Sequence, residues 1–154
     1  MIKSMLQRSF LLATLSAAPF AMAEVSVENG YARAVPPGQM NSASFMIINN
    51  SDASDIQLVS GSSSVAKVVE LHTHTNENGV MKMRQVETIT VPAEGSVALQ
   101  PGGYHIMLIG LKTDLAEGGE IDLKLNFSDE SSKLLTLPVK KVMGGMQGHH
   151  HKHH

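Results

Sequence analysis

The sequence predicts an all-β domain, a two-sheet antiparallel sandwich, on three observations. The stretch "IDLKLNF" (121–127) alternates cleanly, with Ile121, Leu123, Leu125 and Phe127 on one face and Asp122, Lys124 and Asn126 on the other, which is the period of a half-buried strand. Turn signals recur at short intervals: "PPG", "NNSDASD", "GSSS", "NENG", "PAEG", "PGG", "EGG" and "DESS". No long segment carries the apolar stripe of a helix, and regular short strands at this spacing belong to sandwiches.

Taken in order, residues 1–23 stand apart. Lys3 and Arg8 precede the apolar run "FLLATLSAAPF", and "AMA" precedes Glu24; this is the pattern of a secretory signal peptide cleaved after Ala23. The run is shorter than the roughly 20 apolar residues a membrane span needs, and nothing later approaches that length. The mature chain is therefore expected to begin at Glu24, to be exported to the periplasm without a membrane anchor, and to be a monomer. Strands are expected at Val25–Ala34, Ser44–Asn49, Ile56–Val59, Ala66–His74, Val80–Val86, Thr88–Val91, Val97–Gln100, Tyr104–Leu111, 121–127 and Lys133–Val142. They form one domain over 24–142. From Met143 the periodicity stops, and 143–154 reads as a flexible tail.

Composition narrows the function. The formal charge of the whole chain is −2, which becomes −4 once Lys3 and Arg8 are removed. No basic patch interleaved with aromatics is present, so nucleic acid is not an expected partner. The chain has no cysteine and ten methionines. An exported protein without cysteine has no disulfide, and no thiolate to serve as nucleophile, redox couple or metal ligand.

The stretch "VVELHTHTNENGVMKMRQV" (68–86) carries the unusual chemistry. Side chains on a strand alternate in direction, so His72 and His74 share one face while Val69, Leu71 and Thr73 take the other. Met81 and Met83 likewise share a face, and "TNENG" can close a hairpin between the two pairs. Two registers are open: His74 opposite Met81 with His72 opposite Met83, or, with the turn centred on Asn78-Gly79, His74 opposite Met83. Either places imidazole beside thioether, about 4.5–5.5 Å apart at Cβ. In "YHIMLIG", His105 and Met107 share a face by the same rule.

Thioether sulfur is soft and neutral, and it favours copper(I) over zinc, magnesium or calcium, while imidazole suits copper in either oxidation state. A histidine and methionine mixture therefore argues for copper(I). A blue-copper electron-transfer site is excluded because it needs cysteine. An oxygenase that uses an N-terminal histidine does not fit a chain expected to start at Glu24. The competing reading is that methionines fill cores and strand histidines are incidental. Against it, the domain has three histidines, and each lies within two residues of a methionine or another histidine.

At these residues the chain resembles the periplasmic copper chaperones of the PCuAC family. Their signature is a histidine, ten residues, a methionine, twenty-one residues, then His-x-Met. Here His72 is followed eleven positions on by Met83, twenty-two further by His105, and two further by Met107. The stretches "ARAVPPGQ", "VELHTH", "GVMKMRQV" and "LQPGGYHIMLIGLK" are also similar to that family, and the likeness covers roughly residues 24–141. The resemblance implies a cupredoxin-like antiparallel β-sandwich with Greek-key connections, holding copper(I) with His72, Met83, His105 and Met107. It further implies a non-enzymatic carrier that delivers copper to the dinuclear centre of cytochrome c oxidase, or to a partner carrier protein. The alternative is a periplasmic buffer that stores copper. His74 and Met81 lie outside the signature and are read as auxiliary donors.

The chain ends in "MGGMQGHHHKHH". Purification tags run uninterrupted, whereas Lys152 breaks this one and a Met/Gly segment precedes it, so it reads as native. His149, His150, His151, His153 and His154 suit copper(II), and Met143 and Met146 suit copper(I). The tail is expected to hold a further copper(II) or to help load the main site.

Overall fold

The computed structural model describes residues 24–142, and every regular element among them is a strand. The expected signal peptide (1–23) and tail (143–154) lie outside the described residues. Ten strands follow in chain order: β1 Val25–Arg33, β2 Asn41–Asn50, β3 Ile56–Ser62, β4 Ala66–Glu77, β5 Val80–Gln85, β6 Ile89–Val91, β7 Gly95–Leu99, β8 His105–Leu111, β9 Glu120–Phe127 and β10 Ser132–Lys140. All ten expected strands are present.

One sheet runs β5-β4-β8-β2-β1, with β7 taking the part of β2 that β8 leaves free. The other runs β10-β9-β3-β6. The end of β10 lies parallel to β1, pairing Ala32 with Val139 and Arg33 with Lys140, and so joins the two. The remaining ladders are antiparallel.

Alternation decides which face each side chain takes. Met46 and Ile48 of β2, Leu71 of β4, Ile106 and Leu108 of β8, Leu58 of β3 and Leu123 and Leu125 of β9 fill the core between the sheets. Burying each such side chain contributes roughly 1.5–3 kcal/mol. The intervening residues of β8 and β4, among them His72, His74, His105 and Met107, take the outer face of the first sheet.

Strand β1 changes parity midway. Its register shifts between Glu28 and Tyr31, with Asn29 at a φ of 52°. Val25 is buried before this bulge and Ala32 after it. Inserting one residue reverses which side chains face in, and it turns Tyr31 and Arg33 onto the outer face. Leu137 packs closely on the bulge, and a Cβ at Gly30 would lie 2.6 Å from its Cδ2.

Candidate metal centre

The β4–β5 hairpin turns at Asn78-Gly79, whose φ values of 54° and 83° are those of a tight two-residue hairpin turn. The Gly79 amide donates to Asn76 Oδ1 at 2.8 Å, which locks the turn. Of the two open registers this selects the second. His74 lies opposite Met83, His72 opposite Gln85, and Met81 two pairs nearer the turn, opposite Asn76. On its other edge β4 meets β8, with His72 opposite His105 and Glu70 opposite Met107.

His105 is oriented by the turn before it. The Gly103 amide donates to Gln100 O, and the turn leaves Gly103 O 3.0 Å from His105 Nδ1. A neutral imidazole has one N–H. With Nδ1 donating to that carbonyl, Nε2 carries a lone pair, and it faces Met83 Sδ at 3.3 Å. A thioether has no proton to give, so two electron-pair donors converge. Burial above all holds the His105 imidazole below its ordinary value; the Gly103 carbonyl opposes this, and charge on His74, His72 and Arg33 adds to it. His105 is 3% exposed and Met83 46% exposed, so the pair reaches from the sheet surface to solvent.

His72 is held differently. Its Nε2 lies 2.8 Å from Glu70 Oε2, and its buried Nδ1 has no partner. When the ring is neutral, donation from Nε2 to the carboxylate leaves the Nδ1 lone pair as the donor. A carboxylate that fixes the tautomer and raises the basicity of a ligating histidine is a recurrent device. The sequence reading did not connect Glu70 with the histidines, and the structure places it against His72. Glu70 shares the face of His72 by the same period-two rule that identified His74, so the signal was there.

Beneath the donors lie residues that sequence reasoning did not connect with them. Phe45 and Ala43 are buried on this outer face, apart from the main core. The Phe45 ring stacks at 5.4 Å on Tyr31 and 6.3 Å from His105, and the Arg33 guanidinium sits 5.3 Å over it. A pocket of about 80 Å³ opens here, lined by Arg33, Phe45, His74, Pro101, His105 and Met107 among others. Among the described residues no group of three or more histidine, cysteine, aspartate or glutamate side chains is placed to hold a metal ion. Met81 is more than half exposed.

An all-β, cupredoxin-like sandwich with histidines and methionines gathered on one sheet face defines the class. A family profile described as "Putative lipoprotein LpqE-like" matches residues 25–139, and the chain belongs to that family. It is 32% identical over 126 residues to "Putative lipoprotein Lxx21020" of Leifsonia xyli subsp. xyli, covering 81% of this chain and 75% of that one. The solution structure of CuI-DR1885 from Deinococcus radiodurans superposes with a TM-score of 0.64 at 33% identity, over 81% of this chain and 85% of that one. The copper-bound PCuAC domain from PmoF2 superposes with a TM-score of 0.67 at 20% identity, over 80% of this chain and 97% of that domain. Among the described residues no helix is long and apolar enough to cross a membrane.

Proposed function

We propose that the protein is an exported, periplasmic copper(I) carrier whose cargo is held by His72, Met83, His105 and Met107. The observation that carries this reading is the convergence of His105 Nε2 and Met83 Sδ at 3.3 Å. A d10 ion bonded at about 2.0 Å to nitrogen and about 2.3 Å to sulfur, with a tetrahedral angle, spans about 3.5 Å between them. The two donors thus stand near the separation that such an ion requires. The 33% identity to a protein solved in its copper(I) form supports the same cargo.

The geometry suits a carrier. The nitrogens are held by Gly103 O and Glu70 at the sheet surface, whereas the thioether of Met83 is exposed on the β5 edge. A weak, neutral, accessible sulfur ligand can be displaced by an incoming donor while the imidazoles keep hold. Release can then go stepwise to the dinuclear copper centre of cytochrome c oxidase, or to a partner carrier, without chemistry on the protein. Residues 143–154 supply a further copper(II) or feed copper to the main site. Residues 1–23 are the export signal, and no membrane anchor or second subunit is invoked.

Anaerobic copper(I) titration against a competing chelator tests the site. Wild type is expected to bind one copper(I), and a Met83→Leu/Met107→Leu double variant to lose it. Equal binding by both would end the reading. Incubating the loaded protein with the copper-free, copper-bearing subunit of an oxidase separates a carrier from a store. Transfer is expected; full retention would favour storage.

A further inference from the structure

The four-residue signature leaves out His74, yet His74 sits closer to the converging donors than His72 does. Direct opposition across β4 and β8 pairs His105 with His72, and a diagonal neighbour should be farther away than a direct one. The rings reverse that order: His105 is 5.1 Å from His74 and 5.8 Å from His72. The Gly103 carbonyl holds His105 by Nδ1, and the ring leans toward the hairpin.

His74 is also the residue directly opposite Met83. It lines the same pocket as His105 and Met107, and His72 does not. Its Nδ1 is buried without a hydrogen-bond partner, which costs free energy unless something takes the lone pair or the proton. The Nδ1 of His72 is likewise buried and unpartnered, but its other nitrogen is engaged by Glu70, whereas His74 has no such hold. His72 and His74 stand on the same face of β4, His72 directly opposite His105 and His74 opposite Met83, so either can complete a site with His105.

We propose that His74 is a direct copper donor, and that His72 and His74 serve the same copper(I) in alternation. One position uses His74 with Met83, His105 and Met107, on the pocket side. The other uses His72, presented through Nδ1 by its bond to Glu70. Passage between them breaks one copper–nitrogen bond as the other forms, with no change in oxidation state and no proton required from outside the pair. This rests on the copper(I) reading above and adds an internal hand-over within the site.

The test uses full-length protein and silver(I) or copper(I) alone. The first measurement follows the imidazole nitrogens of His72, His74 and His105 by 15N NMR while silver(I) is added to wild type. Shifts are expected at all three rings. The second compares His74→Phe and His72→Phe, which keep a ring packed against His105 but remove the nitrogen donor. Each is expected to retain one copper(I) with affinity lowered by about tenfold or more, and the double variant to lose binding. His74 nitrogens unmoved by silver(I), together with wild-type affinity in His74→Phe, would overturn the proposal while leaving a working four-residue site. Failure of wild type to bind at all would instead remove the copper(I) reading on which it stands.

Discussion

The two faces of the first sheet are made by the same strands and do opposite things. Facing in, Met46, Ile48, Leu71, Ile106 and Leu108 meet only hydrocarbon and are nearly inaccessible. Facing out, one residue along each strand, stand His72, His74, His105, Met107 and, across the hairpin, Met83. Methionine appears on both faces, 2% exposed at Met46 and 46% exposed at Met83. Its chemistry is the same in each place. Position decides whether the thioether packs in the core or is presented to solvent, where a metal can reach it.

Exchanging the demands on the two faces should therefore dissociate stability from binding. The largest effect is expected inside. Leu108→Ala leaves a cavity in a fully buried site and should cost about 2–5 kcal/mol by urea unfolding, with copper(I) still bound by the folded fraction. Met83→Leu should do the reverse. A volume-conserving change at an exposed position should alter stability by less than about 1 kcal/mol, while copper(I) affinity falls. If Met83→Leu unfolds the protein, or Leu108→Ala abolishes binding by molecules that remain folded, the division of labour between faces is wrong.

A smaller effect should come from the orienting carboxylate. Glu70→Gln keeps an acceptor near His72 Nε2 but removes the charge, and copper(I) affinity should drop about tenfold, read by competition with a chelator. No change would mean that Glu70 does not hold His72 for the metal. The smallest effect is in the metal-free protein. The folded state holds His105 below its ordinary 6.5, so the unfolded chain takes up a proton first as pH falls. Stability from this group is present above about pH 6.5 and is lost as pH drops through the folded value. The thermal midpoint should decline from pH 7.5 to 5, and less steeply in His105→Gln; parallel declines would dismiss His105 as the cause.

Much of this was legible from period two and the turn signals. Alternation and the recurring turn signals together located all ten strands, and alternation put His72 with His74 and His105 with Met107. Its failures have physical causes. β2 begins at Asn41, three residues before the expected start at Ser44, because the polar Asn41 and Ser42 carry no strand signal. In the structure the Ser42 and Ser44 hydroxyls are satisfied by Arg33 O and Tyr31 O, so they can be buried in a strand. The parity reversal at Asn29-Gly30, packed against distant Leu137, leaves no local pattern in the sequence. Without it, Arg33 and Tyr31 could not be assigned to the site face. The hairpin register stayed open because "TNENG" permits two turns. It is settled by the positive φ of Asn78 and Gly79, conformations those two residue types tolerate. The parallel joint of β1 with β10 brings together the two ends of the domain and leaves no local mark.

The account stands on thioether sulfur from the outer face entering the coordination of the cargo. X-ray absorption on the anaerobic, stoichiometrically loaded copper(I) protein counts those donors directly. The expected result is a mixed shell with sulfur from Met83 and Met107 and nitrogen from the histidines, its sulfur component falling in Met83→Leu. A shell of nitrogen and oxygen alone would contradict it.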